Sequence, residues 1–473
     1  MEKEYSALLE GYKKALRVEE SFDVVNREFE IAGKSACLFF VDGMMKDETM
    51  QKLLQQFLSI QPKDMPSDAD GFSKRHIPYV EVELLDQEKQ MVRNVLSGVS
   101  CLVIEGYTQI IAIDTRTYPA RSVEEPEKDK VMRGSRDGFV ETLVFNTALI
   151  RRRIRDPKLT MEYLSAGRVS HTDIVLCYMS DRVDTGFLAE IRKRIQKIKV
   201  DSLTMNSQSL AECLYHHSWL NPFPKFKFSE RPDTAAASVL EGDIVVLVDN
   251  SPAAMILPTT IFDIIEEADD YYFPPVTGTY LRLSRFVANI LALVLTPLFL
   301  LLMQYPHWIP KGFEFIQVQE TVNVPLVWQF LILEFAIDGL RLAALNTPSM
   351  LSLPLSVIAA LIIGDFAVGS GWFNSEAMLY MAFVALANYT QASYELGYAL
   401  KFMRLITLIL TAWLGMWGFV AGVLLSVFSI CSNRTIAGKS YLYPLFPFRL
   451  RQLAQRFIRV DLKKSEERRW KQK

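Results

Sequence analysis

The sequence is poor in the residues that most chemistry requires. Its 473 residues include five histidines and five cysteines. His76, His171, His216, His217 and His307 stand at no metal-ligand spacing from one another or from a cysteine. Cys37, Cys101, Cys177, Cys213 and Cys431 are odd in number and widely separated. That argues against a disulfide framework and for reduced thiols, with the first three buried in apolar, strand-like runs. The two Gly-Lys-Ser triplets, 33–35 and 438–440, lack the glycine that a phosphate loop places five residues earlier; Glu28 and Asn433 stand there. No Gly-x-Ser-x-Gly elbow and no Cys–His arrangement emerges. The expectation is therefore no enzyme, no cofactor, no metal and no nucleic-acid partner. The opening MEKEYSALLEGYKKALRVEE has no apolar core, so neither a signal nor a transit peptide is expected.

Long apolar stretches are plentiful between 281 and 430, and one of them is charged. Residues 324–345 read VPLVWQFLILEFAIDGLRLAAL. Glu334, Asp338 and Arg341 fall at i, i+4 and i+7, which on a helix is one stripe. A charge at a bilayer centre costs ~3 kcal/mol on insertion scales, so this stripe is expected to face protein or water rather than lipid. It has a functional reading, as a water-filled ion path or a coupling site between subunits. It also has a structural one, with Arg341 neutralising Asp338 inside a bundle. Asp365 and Glu395 are further acids of the same region, and a ring of such acids about an oligomer axis would favour cations.

Charge is unevenly spread. From 431 to 473, twelve Lys or Arg stand against three acids, a tail of +9; with −2 for the whole chain, residues 1–430 carry −11. A basic segment directly after an apolar span reads as cytoplasmic and can lie along anionic headgroups.

Residues 1–280 read as an α/β cytoplasmic region of two similar lobes, followed by an α-helical multipass membrane domain. Apolar strands at 37–41, 99–105, 109–114, 173–178, 243–249 and 253–257 alternate with helical spacing at 46–58 and 186–198. LSGVSCLVIEGYTQIIAID from Leu96 aligns with LEGDIVVLVDNSPAAMILP from Leu240 at a constant offset of 144, without a gap. Lobes near 20–118 and 160–262 follow, each with a mixed sheet covered on both faces. The divisions expected are lobe 1 at 1–118, a charged linker and helix at 119–159, lobe 2 at 160–280, the membrane domain at 281–430 and the basic tail at 431–473. The linker carries an arginine cluster, Arg133, Arg136, Arg151, Arg152 and Arg153, the last three at the end of the helix in its second half. Such a cluster can grip phosphate or another subunit's carboxylates, clamp the lobes by ion pairs, or touch headgroups. Tyr271, Tyr272 and Phe273 read either as an interfacial belt or as a hinge packed on lobe 2.

Five candidate spans are read at 286–303, 324–345, 351–368, 377–396 and 404–430. With both ends of the chain inside, crossings must be even. The preferred reading is four crossings and one embedded helix; the alternative is that 404–430 folds back. Arg282, Arg285, Lys401 and Arg404 fit the cytoplasmic side.

RSVEEP (121–126), RGSRDGFVET (133–142), NTALIRRRIRDP (146–157), ERPD (230–233), EGDIVVLVDNSP (241–252), ILPTT (256–260) and SYELG (393–397) occur in this order. They resemble the A subunits of the GerA-type spore germination receptors. The resemblance implies a multipass protein of the spore inner membrane or cell membrane that acts in germination; the missing signal peptide and the basic tail put both termini in the cytoplasm. It further implies a homo-oligomer with a membrane channel, in contact with lipid and with transporter-like and lipoprotein subunits of a germination complex. Where receptor A subunits carry an acid after the arginine of the stripe, this chain has Leu342, so direct nutrient binding is not implied. The rival readings are a non-conducting scaffold that recruits partners through the lobes, and a secondary transporter, for which the inverted repeats are missing.

Overall fold

The computed structural model describes residues 2–79, 81–117, 131–215, 221–319, 322–346 and 367–459. They form two compact units, Met1–His217 with Phe226–Pro258, and Ser218–Lys225 with Thr259–Lys473. The 259–280 segment, expected to close lobe 2, belongs to the second unit.

The first unit holds two sheets of five strands. Strands β1 (Val24–Ile31), β2 (Lys34–Val41), β3 (Val82–Leu85), β4 (Ser100–Ile104) and β5 (Ile110–Ile113) lie in the order β1-β2-β4-β5-β3. Strands β6 (Leu159–Ala166), β7 (Thr172–Met179), β8 (Lys227–Ser229), β9 (Ile244–Val248) and β10 (Ala254–Leu257) lie in the order β6-β7-β9-β10-β8. The register repeats as well. Ala36 faces Ile104 in the first sheet, and Ile174 faces Val248 in the second. Leu85 faces Ile110, and Ser229 faces Ala254. From β3 onward the offset is 144 throughout; a shorter insertion earlier makes it 138 at β2 and 135 at β1.

Every pairing between these strands is antiparallel, which corrects the mixed sheet expected from sequence. The reason is visible in β2. Cys37, Phe39 and Val41 pack under α1 (Glu2–Leu16) and α4 (Glu88–Val95). Leu38 and Phe40 pack under α2 (Asp47–Ser59) and α3 (Ala69–His76). Helices on both faces leave no polar alternation along the strand, so it reads as the unbroken apolar run usual in parallel sheets. Burial pushes the Cys37 thiol up to about 12 and raises those of Cys101 and Cys177. Cys213 and Cys431 are exposed.

Helices α5 (Leu143–Arg153), α6 (Thr185–Gln196), α7 (Asn206–Leu214) and α8 (Pro232–Glu241) complete the second lobe. Of the arginine run, Arg151 turns inward and is fully buried. Its Nε and Nη2 donate to the two Asp23 carboxylate oxygens at 2.8 and 2.9 Å, and Nη2 also reaches Ser21 Oγ at 2.9 Å and the Leu159 carbonyl at 3.1 Å. The Met161 N–H donates to Ser21 Oγ, and the Phe22 N–H to the Met161 carbonyl. One guanidinium thus ties the entry of β1, the end of α5 and the start of β6. Arg153 pairs with Asp137 at 2.6 Å, while Arg133, Arg136 and Arg152 are exposed.

The second unit is helical: α9 (Ile261–Ile265), α10 (Asp269–Tyr272), α11 (Pro275–Gln304), α12 (Leu326–Asn346), α13 (Ser375–Tyr389), α14 (Tyr394–Leu414), α15 (Met416–Cys431) and α16 (Leu450–Phe457). Among the described residues two helices, α11 and α14, are long and apolar enough to cross a membrane, and α15 is a shorter apolar helix. The 404–430 stretch is not one span. It breaks at Gly415, whose φ of +56° with ψ of −130° is a conformation that favours glycine. From there α15 runs back along α14: a Cβ on Gly418 would meet the Leu410 carbonyl oxygen at 1.8 Å, and one on Gly422 would meet Thr407 at 2.7 Å. Small residues four apart let the two backbones approach, as in membrane helix pairs. The 377–396 candidate ends as a helix at Tyr389, and α14 then starts on a Ser393 cap. The 351–368 candidate lies almost wholly outside the described residues.

Two outcomes test these contacts. Asp23→Asn leaves the buried guanidinium without its carboxylate and should cost about 3–5 kcal/mol, read as a lowered unfolding midpoint of the full chain. Arg133→Gln at an exposed site should stay within about 0.5 kcal/mol. Gly418→Val should lower thermal stability in detergent by about 1–3 kcal/mol or more, while Leu424→Val on the exposed face of α15 changes little.

Candidate functional site: a buried ion-pair cluster between apolar helices

The stripe predicted on 324–345 exists on α12, and its two acids point at α14. Helix α14 presents Lys401 and Arg404, three residues apart on its buried face. Arg404 Nε donates to Glu334 Oε1 at 2.7 Å, and Nη2 lies 2.6 Å from the same oxygen. Its Nη1 donates to the Ala292 carbonyl of α11. Lys401 Nζ sits 3.2 Å from Glu334 Oε2, donates to the Glu334 carbonyl at 3.2 Å, and pairs with Asp338. Arg404 is fully buried and Glu334 nearly so, whereas Asp338 is about a third exposed. Two acids meet two bases, so the cluster is neutral as it stands. Neutrality and dense hydrogen bonding are what make ionised groups tolerable away from water.

Arg341 does not neutralise Asp338, as the structural reading of the sequence had it. Its guanidinium lies over the rings of Tyr389, 5.1 Å away, and Tyr398, 5.4 Å away. The i+3 step from Asp338 carries it towards the α13–α14 turn, and the acid is taken by Lys401 instead. Glu334, Asp338, Arg341, Lys401, Asn388, Tyr389 and Tyr398 surround a cavity of about 10 Å³, room for about one water molecule. Glu395 is exposed in the first turn of α14, where an acid complements the helix dipole; it does not line this cavity. Asp365 lies outside the described residues.

Lys401 and Arg404, read from sequence as cytoplasmic flanking charges, are therefore the partners that reading missed. The signal was present: two bases three apart on an otherwise apolar helix match two acids four apart on another. Arg282 and Arg285 likewise have partners that the sequence reading did not name. They sit inside α11, largely buried, and grip the acidic segment before it. Arg285 reaches Asp270 and the Ile265 carbonyl, and Arg282 reaches Asp270 at 3.2 Å and Glu266 at 2.5 Å. Arg456 of α16 joins through Asp263 at 2.6 Å and Glu266 at 3.2 Å. The Tyr271 ring, half exposed, carries the guanidiniums of Arg282 and Arg459 over its face.

Coupling between Glu334 and Arg404 is measurable by a double-mutant cycle on thermal stability in detergent. Arg404→Gln alone should cost about 3 kcal/mol or more, because Glu334 stays buried with one base. Adding Glu334→Gln should restore much of it, giving an interaction energy of about 1–3 kcal/mol. Additive losses would mean that the two side chains do not act as a pair.

Comparison with known proteins agrees with the family likeness in the motifs. A family model described as Bacillus/Clostridium GerA spore germination protein matches residues 13–470. Stage V sporulation protein AF of Bacillus subtilis (strain 168) is 35% identical over 95% of this chain and 91% of its own length. Spore germination protein B1 of the same organism is 27% identical over 96% of this chain and 94% of its own. Spore germination protein KA is 26% identical over 95% and 84%. The crystal structure of the N-terminal domain of the A subunit of the Bacillus megaterium spore germinant receptor GerK3 is similar at 26% identity. It covers 53% of this chain and 92% of that one, with a TM-score of 0.41. With the family model matched over nearly its whole length, the chain belongs to the Bacillus/Clostridium GerA spore germination protein family.

Proposed function

We propose that this chain is a multipass, ion-channel-like or ion-release-coupled subunit of the spore germination machinery, acting as a homo-oligomer in the spore inner membrane. Both termini are cytoplasmic in this reading, and transporter-like and lipoprotein subunits are its partners. It carries out no covalent chemistry.

The observation that carries the reading is the depth of the ion cluster. The twenty residues from Arg285 to Gln304 on α11 rise ~28 Å, close to a bilayer's ~30 Å hydrocarbon thickness. The Ala292 carbonyl, which Arg404 holds, lies ~10 Å from one end of that stretch and ~18 Å from the other. Arg404 itself is eleven residues, ~16 Å, from the turn at Gly415. Ionised groups near mid-membrane are costly and mark ion or proton paths or fixed pairs. Exposed Trp328, Phe335 and Leu342 on the outer side of α12 suit contact with lipid or a neighbouring copy.

The neutral pairing and the one-water cavity support a second reading, in which the cluster fixes helix register and the protein is a non-conducting scaffold. Conduction requires these pairs to exchange partners or several copies to enclose a path. Purified full-length protein in liposomes separates the two. The channel reading expects ion flux, altered by Asp338→Asn and by the charge-balanced pair Glu334→Gln with Arg404→Gln, while assembly persists. Flux that ignores both variants makes the stripe structural. Absence of flux under every condition leaves the scaffold.

A further inference from the structure

The C-terminal region holds an exposed segment that the ion cluster does not explain. Residues 445–451, Leu-Phe-Pro-Phe-Arg-Leu-Arg, are all exposed. Phe446, Phe448 and Leu450 show 72%, 64% and 70% of their surface. Seven consecutive exposed residues with four large apolar side chains are unusual on a water-facing loop, where each leaves apolar area in solvent. Arg449 and Arg451 lie among them. Arg449 rests against the Tyr443 ring, 5.6 Å away, and donates to its hydroxyl at 3.2 Å; no ion pair to Arg451 is found among the described residues.

The segment is fixed at a particular level of the bundle. The segment runs into α16, whose later residues pack on the start of α11. The Phe457 and Phe286 rings lie 4.5 Å apart. Arg282 donates to the Gln455 carbonyl at 3.2 Å, and the Arg459 N–H donates to Thr279 Oγ1 at 3.1 Å. Residues 279–286 of α11 run up to the start of its ~28 Å apolar stretch, so on the membrane reading above α16 and the residues before it stand at the membrane–water boundary. Apolar side chains interleaved with arginines at that level match an acyl–headgroup boundary of negative charge.

The geometry points to residues 445–451 as an interfacial anchor. Phe446, Phe448 and Leu450 enter the acyl boundary of the cytoplasmic leaflet, and Arg449 and Arg451 bind the phosphates of anionic phospholipids. This rests on the membrane reading above and gives that reading a lipid-binding site. The anchor would hold α16, and through Arg456 the acidic segment before α11, at a fixed depth.

The test uses full-length protein in vesicles, with Cys213 and Cys431 replaced by serine and a nitroxide placed through Phe448→Cys. A second variant carries the label through Ile290→Cys, on the exposed side of α11, as a marker of the spanning region. In vesicles containing phosphatidylglycerol, the label at 448 should be accessible to oxygen and shielded from a nickel chelate. Replacing phosphatidylglycerol by phosphatidylcholine, or introducing Arg449→Gln with Arg451→Gln, should raise chelate access, by roughly fivefold per arginine removed. Chelate access at 448 in anionic vesicles, with 290 still in lipid, overturns the anchor alone and leaves the loop to a protein partner. Chelate access at both overturns the membrane reading as well. Insertion that ignores lipid charge and both arginine substitutions overturns the headgroup site.

Discussion

A carboxylate inside an apolar helix bundle needs a base near it, and the second unit is arranged around that requirement. Glu334 is buried with Arg404 and Lys401 against its carboxylate, and leaving it there without either base would cost about 3–5 kcal/mol. Arg404 in turn needs the Ala292 carbonyl for the donor that Glu334 does not take. Three helices are fixed by one set of contacts: α12 supplies the acids, α14 the bases and α11 the carbonyl. The register of α14 against α11 and α12 follows, and the tight approach of α15 through Gly418 and Gly422 completes the hairpin at Gly415. The energy of such a cluster is small in net terms. Its consequence is specificity, because slipping α12 against α14 by one turn would bury unpaired charges.

The first unit uses the same device at Arg151. Arg151 and Asp23, both buried, join two lobes that are repeats of one antiparallel sheet. A purely apolar contact between such similar lobes would tolerate several packings. A bidentate ion pair with Ser21 and the Leu159 carbonyl in its shell accepts one. In both units a buried charge pair selects an arrangement that apolar packing alone leaves open.

Much of this was legible in the sequence where a pattern was local. The 144-residue offset between Leu96 and Leu240 marks strands that occupy equal places in equal sheets. The stripe of Glu334 and Asp338 marks a helix face that has to meet protein. What escaped was non-local or masked by burial. Strands β1 and β6 are sheet edges with mixed polar and apolar sequences, VVNREFEI and LTMEYLSA, so neither gave a clean alternation. Strand direction was hidden because helices cover both sheet faces. Arg341 was matched to Asp338 because they share a helix, whereas the true partner is sixty-three residues away at Lys401. The break at Gly415 lay inside an apolar run with glycines at several positions, and sequence offered it only as one of two ways to balance the crossings.

A side-chain-resolved density map of the assembled protein in lipid tests the central claim most directly. The account predicts Glu334 within hydrogen-bonding distance of Arg404, with Lys401 between Glu334 and Asp338. A map in which Glu334 faces open water and Arg404 pairs elsewhere would contradict it.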